Sequence, residues 1–235
     1  MLCSITSLTI ILSVTWGIKR LSLLFVPPIW RRNEDYYEDA NRKSCYSGKI
    51  LQYTFAHDNG INPEIEKAKN YVAHWEEMKS KAMGLLLWGD IGTGKSFFAG
   101  CVANALLDKG IPVLMTNFTK ILNFLTGMYP QDRNEFINSL NQYSLLIIDD
   151  LGVERNSEFA LEQVFHVIDS RYRSMKPMII TTNLTLEELK HPTDLAHSRI
   201  YDRILERCVP LKINNQNIRE LNAAANMSEA RKLLV

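Results

Sequence analysis

The chain is short of the features that mark several functional classes. Its four cysteines, Cys3, Cys45, Cys101 and Cys208, lie far apart, with no Cys-x-x-Cys pair and no Cys/His cluster of zinc spacing. Neither a disulfide framework nor a structural zinc is expected, and the cysteines read as reduced thiols of a cytoplasmic protein. Charge of one sign is missing too: 27 Lys and Arg against 26 Asp and Glu leave a net +1. That balance excludes a polycation that coats nucleic acid in bulk, and confines any DNA contact to a local patch or a ring of subunits. No internal repeat or low-complexity run interrupts the 235 residues, a length that suits one α/β domain with a short appendage.

Long apolar runs are scarce. Met1–Ile18 carries no charge and just reaches the length of a membrane span, with Lys19-Arg20 and Arg31-Arg32 after it. A secretory signal places its positive charges before the apolar run, so secretion is not expected. The order suits an anchor whose C-terminal side is cytoplasmic. Against that, Ser4, Thr6, Ser7, Thr9, Ser13 and Thr15 dilute the apolarity, and a packed helix, an atypical extension or a mis-set start fits as well; a membrane partner is not expected. From Arg31 to Gly60 the chain is polar and aromatic without a sustained period and reads as a linker.

What the chain does have is concentrated at Gly84-Leu-Leu-Leu-Trp-Gly-Asp-Ile-Gly-Thr-Gly-Lys-Ser96, an apolar strand, a glycine-rich turn and a helix start. Gly89, Asp90, Ile91, Gly92, Thr93, Gly94, Lys95 and Ser96 match the phosphate-binding loop GxxxxGK[ST] at every fixed position. The glycines let several backbone N–H groups converge, and the helix beginning near Lys95 adds its positive end. Lys95 can then reach the β and γ phosphates, and Ser96 the Mg²⁺ that accompanies them.

Around the loop, strand and helix alternate. Strands are expected at Leu85–Trp88, Pro112–Thr116, Leu145–Asp149, Met178–Thr182 and Val209–Ile213. Helices are expected near Lys95–Asp108, Lys120–Met128, Arg133–Asn141, Glu158–Arg173, Ser198–Arg207 and Ile218–Leu234. Before them, Asn62-Pro63-Glu64 opens a helix whose apolar stripe runs through about Lys79. Apolar strands with polar residues only at their ends predict a parallel sheet covered by helices on both faces. Asp149 appears at the carboxyl end of its strand, the edge where such sheets bind ligands, and is placed to hold a metal ion. Thr181, Thr182 and Asn183 emerge in the same way; Asn183 either meets the γ phosphate and the attacking water or caps the segment Leu184–Leu189. Arg199, Arg203 and Arg207 stand four apart on one helical face, which does not help the helix and would suit an outside anion; a solvated charged face fits equally.

These phrases carry a resemblance. With Leu145-Leu-Ile-Ile-Asp-Asp-Leu-Gly-Val-Glu154, Ile180-Thr-Thr-Asn-Leu184 and Arg199-Ile-Tyr-Asp-Arg203, the chain from about Tyr53 onward resembles the DnaC-type helicase loaders and the related IstB transposition-helper ATPases. The resemblance implies a phosphate-loop AAA+ core with a parallel five-stranded sheet and no separate helical lid domain. Residues 1–52 would be extension and linker, and 53–235 the ATPase domain. It further implies ATP rather than GTP, with Mg²⁺ on Ser96 and Asp149, Asn183 as the sensor of the γ phosphate, and Arg203 as an arginine finger assisted by Arg199. Asp150 stands where many AAA+ ATPases have the glutamate that polarises water; it does that work at closer range, or shares it with Glu154, or turnover is weak and nucleotide acts as a switch. The partners implied are a replicative helicase, single-stranded DNA and further copies of the chain when ATP is bound. Phe118, Lys120, Tyr129 and Arg133 are candidates for the DNA contact.

Overall fold

Leu85–Trp88, Leu145–Ile148 and Met178–Ile180 contain no charged or hydroxyl side chain, so neither face of such strands can be left in water. The computed structural model, which describes residues 50–152 and 157–234, resolves this with one parallel sheet between two helical layers. Its strands are β1 (Gly84–Trp88), β2 (Val113–Asn117), β3 (Leu145–Leu151), β4 (Met178–Thr182) and β5 (Cys208–Lys212), in the order β2-β3-β4-β1-β5. The strand that leads into the phosphate loop thus lies between β4 and β5, with Leu86 opposite Ile180 on one side and Pro210 on the other.

Alternate residues supply alternate cores. Leu87, Leu145, Ile147 and Ile179 face α1 (Ile65–Ala73), α2 (Trp75–Ser80) and α3 (Lys95–Asp108). Leu86, Leu146, Ile148 and Ile180 face α4 (Phe118–Thr126), α5 (Pro130–Ser139), α6 (Glu158–Arg173), α7 (Leu186–Lys190) and α8 (Leu195–Arg207). This is the two-faced core that the apolar strands predict. After β5, α9 (Ile218–Leu233) is the one helix among the described residues. No described helix is long and apolar enough to cross a membrane.

Several boundaries differ from expectation for local reasons. The stripe expected as one helix through Lys79 is divided at His74, whose backbone leaves helical geometry (φ −98°, ψ 24°). Its ring Nδ1 lies 2.9 Å from the Asn70 carbonyl, which also accepts the His74 N–H. Helix α4 starts two residues before Lys120 because Asn117 Oδ1 accepts from the Lys120 N–H, and α8 starts before Ser198 because Asp194 Oδ1 accepts from the His197 N–H. Pro130 opens α5 ahead of Arg133.

One buried side chain ties the amino ends of β3 and β4 together. Arg171 is fully buried and donates from Nη1 to the Tyr143 carbonyl, from Nη2 to those of Ser144 and Pro177, and from Nε to Pro177 again. Burial pushes its pKa down to about 10, so it stays charged at neutral pH. The carboxyl ends of the same two strands carry the candidate site.

Candidate functional site

The phosphate loop closes on itself around Lys95. The side chain is buried, at 5% exposure, and its ammonium donates to the carbonyls of Gly89 and Asp90, each at 2.7 Å. Two of its three donors are thus committed to the loop, and one remains for an incoming oxygen. Burial lowers the Lys95 pKa, while Asp150, Asp149 and Asp90 raise it and Arg219 lowers it further. Gly92 has to be glycine: its φ is +81°, and a Cβ there would stand 1.9 Å from Asn217 Oδ1.

Opposite the loop, β3 carries an extra residue. Ile148 pairs with Ile180 and Leu151 with Thr182, so Asp149 and Asp150 together face the single residue Thr181. Such a bulge re-aims a side chain. Asp150 takes up the extra length in a left-handed conformation, φ +59°, uncommon for a residue with a Cβ, and its N–H donates to Thr181 Oγ1 at 2.9 Å. The same hydroxyl donates to Asp149 Oδ1 at 2.6 Å, and Ser96 Oγ donates to that oxygen at 2.9 Å. Two motifs that are 53 residues apart in sequence therefore meet at one carboxylate. Burial raises the Asp149 pKa, and Asp150 adds to the rise; the hydroxyls of Thr181 and Ser96 and the Lys95 charge oppose it.

The arginines lie elsewhere. Arg199, Arg203 and Arg207 lean on α6, with guanidinium carbons 4.5 Å and 4.8 Å from the Phe165 ring centre for the first two, and 4.8 Å from that of Tyr172 for the third. Arg203 also donates from Nε to Asp169 Oδ1 at 2.8 Å. None of these contacts involves the phosphate loop of the same chain. Asn183 is exposed just beyond β4. It does not cap the next helix, because Thr185 does so in a reciprocal pair with Glu188. Of the DNA candidates, Phe118 is a core residue at 1% exposure and cannot stack on a base. Arg133 is held by the Leu125 carbonyl and the Phe159 ring, whereas Tyr129 is 80% exposed and Lys120 is exposed as well. Glu154 and residues 1–49 lie outside the described residues.

The sequence pattern of the IstB-like ATP binding protein family matches residues 47–225. The chain belongs to that family. Among its relatives is the replicative helicase loader DnaC of Escherichia coli, 29% identical over 143 residues, which are 60% of this chain and 56% of that protein. Another is the putative insertion sequence ATP-binding protein y4iQ/y4nD/y4sD of Sinorhizobium fredii, 28% identical over 180 residues, 75% of this chain and 59% of the relative. The chain thus spans little more than half the length of these proteins. Among solved structures, that of DnaI superposes with a TM-score of 0.60 over 74% of this chain and 94% of that one, at 24% identity. The fold is the phosphate-loop AAA+ core of these neighbours.

ATP is the ligand that an IstB-like family member implies, and the residues present fit it. Besides the open loop and the third donor of Lys95, Asn62 waits for an acceptor. It is 3% exposed, and its Oδ1 accepts from the Glu64 N–H at 3.0 Å, which turns Nδ2 toward the loop. Nδ2 stands 3.5 Å from the position a Gly94 Cβ would take, and has no partner among the described residues. A buried donor left so costs about 1–3 kcal/mol, which a ligand acceptor would remove. For a cation, Ser96 Oγ and Asp149 are the available oxygens, and among the described residues no three His, Cys, Asp or Glu converge. An ion held there would complete its shell with phosphate oxygens and water, as Mg²⁺ does.

The segment that leads into α9 lies against the loop. The Ile218 N–H donates to the Gly92 carbonyl at 3.0 Å, and Asn215 Nδ2 to that of Thr93 at 3.0 Å, so the start of α9 is stitched to the loop. Thr181, Asn215, Asn217 and Arg219 are thereby added to the site. Thr181 was legible only as a polar strand end; the others gave no signal beyond a polar segment before a helix.

Proposed function

We propose that this chain binds ATP with Mg²⁺, hydrolyses it weakly alone and faster when assembled, and serves DNA replication by placing a replicative helicase on single-stranded DNA. The observation that carries the ATPase is the convergence of Ser96 and Thr181 on Asp149. The helicase comes from the likeness to DnaC, and is proposed with a cytoplasmic location and residues 1–52 as an extension outside the ATPase domain.

In this reading Lys95 and the loop N–H groups hold the β and γ phosphates. Ser96 and Asp149 hold Mg²⁺, which when bound neutralises the charge that grows on the phosphate oxygens. Asp150 takes the proton of the water that attacks the γ phosphorus, and its strained backbone is consistent with a functional position. Asn183 orients that water. Arg203, assisted by Arg199, reaches the γ phosphate of a neighbouring subunit, which agrees with its contacts in its own chain being with α6 and α8 and not with the loop.

The test is ATP hydrolysis with and without single-stranded DNA, beside an Arg203→Ala chain that still binds nucleotide. Stimulation by DNA in the native chain, lost in the variant, is expected; an arginine finger contributes on the order of 10³–10⁵ in turnover. Flat, equally weak turnover in both would leave a nucleotide switch. A second reading, a transposition helper, is favoured by the greater share of this chain aligned with the Sinorhizobium relative, 75% against 60%. Binding to purified replicative helicase, against binding to a transposase encoded beside this gene, separates the two.

A further inference from the structure

Arg199, Arg203 and Arg207 share one helical face but are not held alike. Arg199 is exposed, and beyond its ring contact with Phe165 its guanidinium has no hydrogen-bond partner among the described residues. Arg207 is occupied at the far end by Tyr172, Met175 Sδ and Glu206. Arg203 alone is gripped by a carboxylate from another helix. Its Nε donates to Asp169 Oδ1 at 2.8 Å, its Nη1 to the Arg199 carbonyl at 2.9 Å, and its guanidinium lies over Phe165. Its Nη2 has no partner among the described residues.

Asp169 is itself fixed. Its Oδ2 accepts from Arg173 Nε at 2.8 Å, and its side chain is 14% exposed, against 21% for Arg203. One carboxylate thus faces two guanidinium groups and leaves a positive charge over. A long side chain restrained at Nε, stacked on a ring and open at Nη2 is one whose rotamer freedom has already been given up.

From this geometry we infer that Asp169 is a positioning residue: it holds Arg203 in the pose in which Nη2 meets an anionic phosphate of a second copy of this chain. The inference rests on the proposed action of Arg203 in trans and adds the residue that makes it effective. A misplacement of about 1 Å at a catalytic group costs about 10²-fold in rate, so loss of the grip is expected to be visible even with Arg203 intact.

The test compares assembled, DNA-stimulated turnover of Asp169→Ala, Asp169→Asn and Arg203→Ala chains, each first shown to bind a fluorescent ATP analogue. Asp169→Ala is expected to lower kcat about 10²-fold with KM for ATP unchanged, and Asp169→Asn, which keeps an Oδ1 acceptor for Nε, to recover part of it. Each variant is also mixed with a Lys95→Ala chain, which lacks its own site but carries an intact Arg203 and Asp169. The mixture with Asp169→Ala should regain turnover, because the second chain presents a properly held arginine to the intact site of the first. Unchanged or raised kcat in Asp169→Ala overturns the inference. So does recovery of Arg203→Ala, but not of Asp169→Ala, on mixing, which leaves the action in trans standing. If Arg203→Ala is not rescued either, the action in trans fails and the inference goes with it. Should Asp169→Ala fail to bind the analogue, the Asp169→Asn chain carries the same comparison.

Discussion

The Thr181 hydroxyl satisfies both halves of the β3 bulge at once, donating to Asp149 Oδ1 and accepting from the Asp150 N–H. Thr181→Val keeps the shape and removes both bonds. A denaturant titration should show a loss of about 1 kcal/mol, because the half-buried Asp150 N–H is left without its acceptor. ATPase turnover should fall as well, since the same change lets two carboxylates drift; unchanged turnover would confine Thr181 to a structural role. Gly92→Ala should weaken nucleotide binding at least ~10-fold, since it imposes an αL cost of about 1–2 kcal/mol and crowds Asn217. Adding Asn217→Ala should relieve the crowding and not the φ, so titration of the double variant with a fluorescent analogue should still read weaker than native. The place of Asp149 at the site-side end of β3 was legible at this scale, because an apolar run that ends in Asp marks where a buried strand leaves the core. The bulge was not, because two residues facing one is a property of the pairing between strands, and nothing local to Asp149-Asp150 announces it.

Between elements, the main constraint on the site is how β3 and β4 are held at the ends away from it. Arg171 bonds three carbonyls there, and β3 and β4 then run side by side to the bulge. Arg171→Met fills similar space and leaves those acceptors unanswered. The expected loss is ~3 kcal/mol or more by equilibrium unfolding, enough to threaten a domain of ordinary stability. A loss under about 1 kcal/mol would show that water reaches the carbonyls and that Arg171 does not organise the sheet. The apolar strands declared themselves through their composition, and their parallel pairing followed from the helices between them. The order β2-β3-β4-β1-β5 did not, since each strand is apolar enough for any central place. Helix starts were misjudged where the cap lay outside the apolar stripe, as at Asn117 and Asp194, and the break at His74 was hidden because the stripe continues through it from Val72 to Trp75.

At the scale of the whole molecule, a net charge of +1 leaves one copy with little to offer a nucleic acid. Burial of Phe118 and the internal bonds of Arg133 reduce the candidate contacts to Tyr129 and Lys120, so a single copy would meet few phosphates. Each phosphate contact on a single strand adds about −0.7 to the slope of log affinity against log salt. A lone chain should therefore show a slope no steeper than roughly −2, and bind weakly. If assembly on ATP sums these patches, a non-hydrolysable ATP analogue should produce a larger species in sedimentation, and that species should bind single-stranded DNA with a slope that steepens with subunit number. Arg203→Ala should retain nucleotide and lose the coupling, because its contact to the neighbouring phosphate is the proposed link between site and assembly. A steep slope in the absence of nucleotide would mean that the DNA surface lies in one copy, in residues other than the two left here. Identical slopes with and without the analogue would separate DNA binding from ATP altogether, and the closeness of Asp149, Lys95 and α9 would then serve a switch directed at a protein partner.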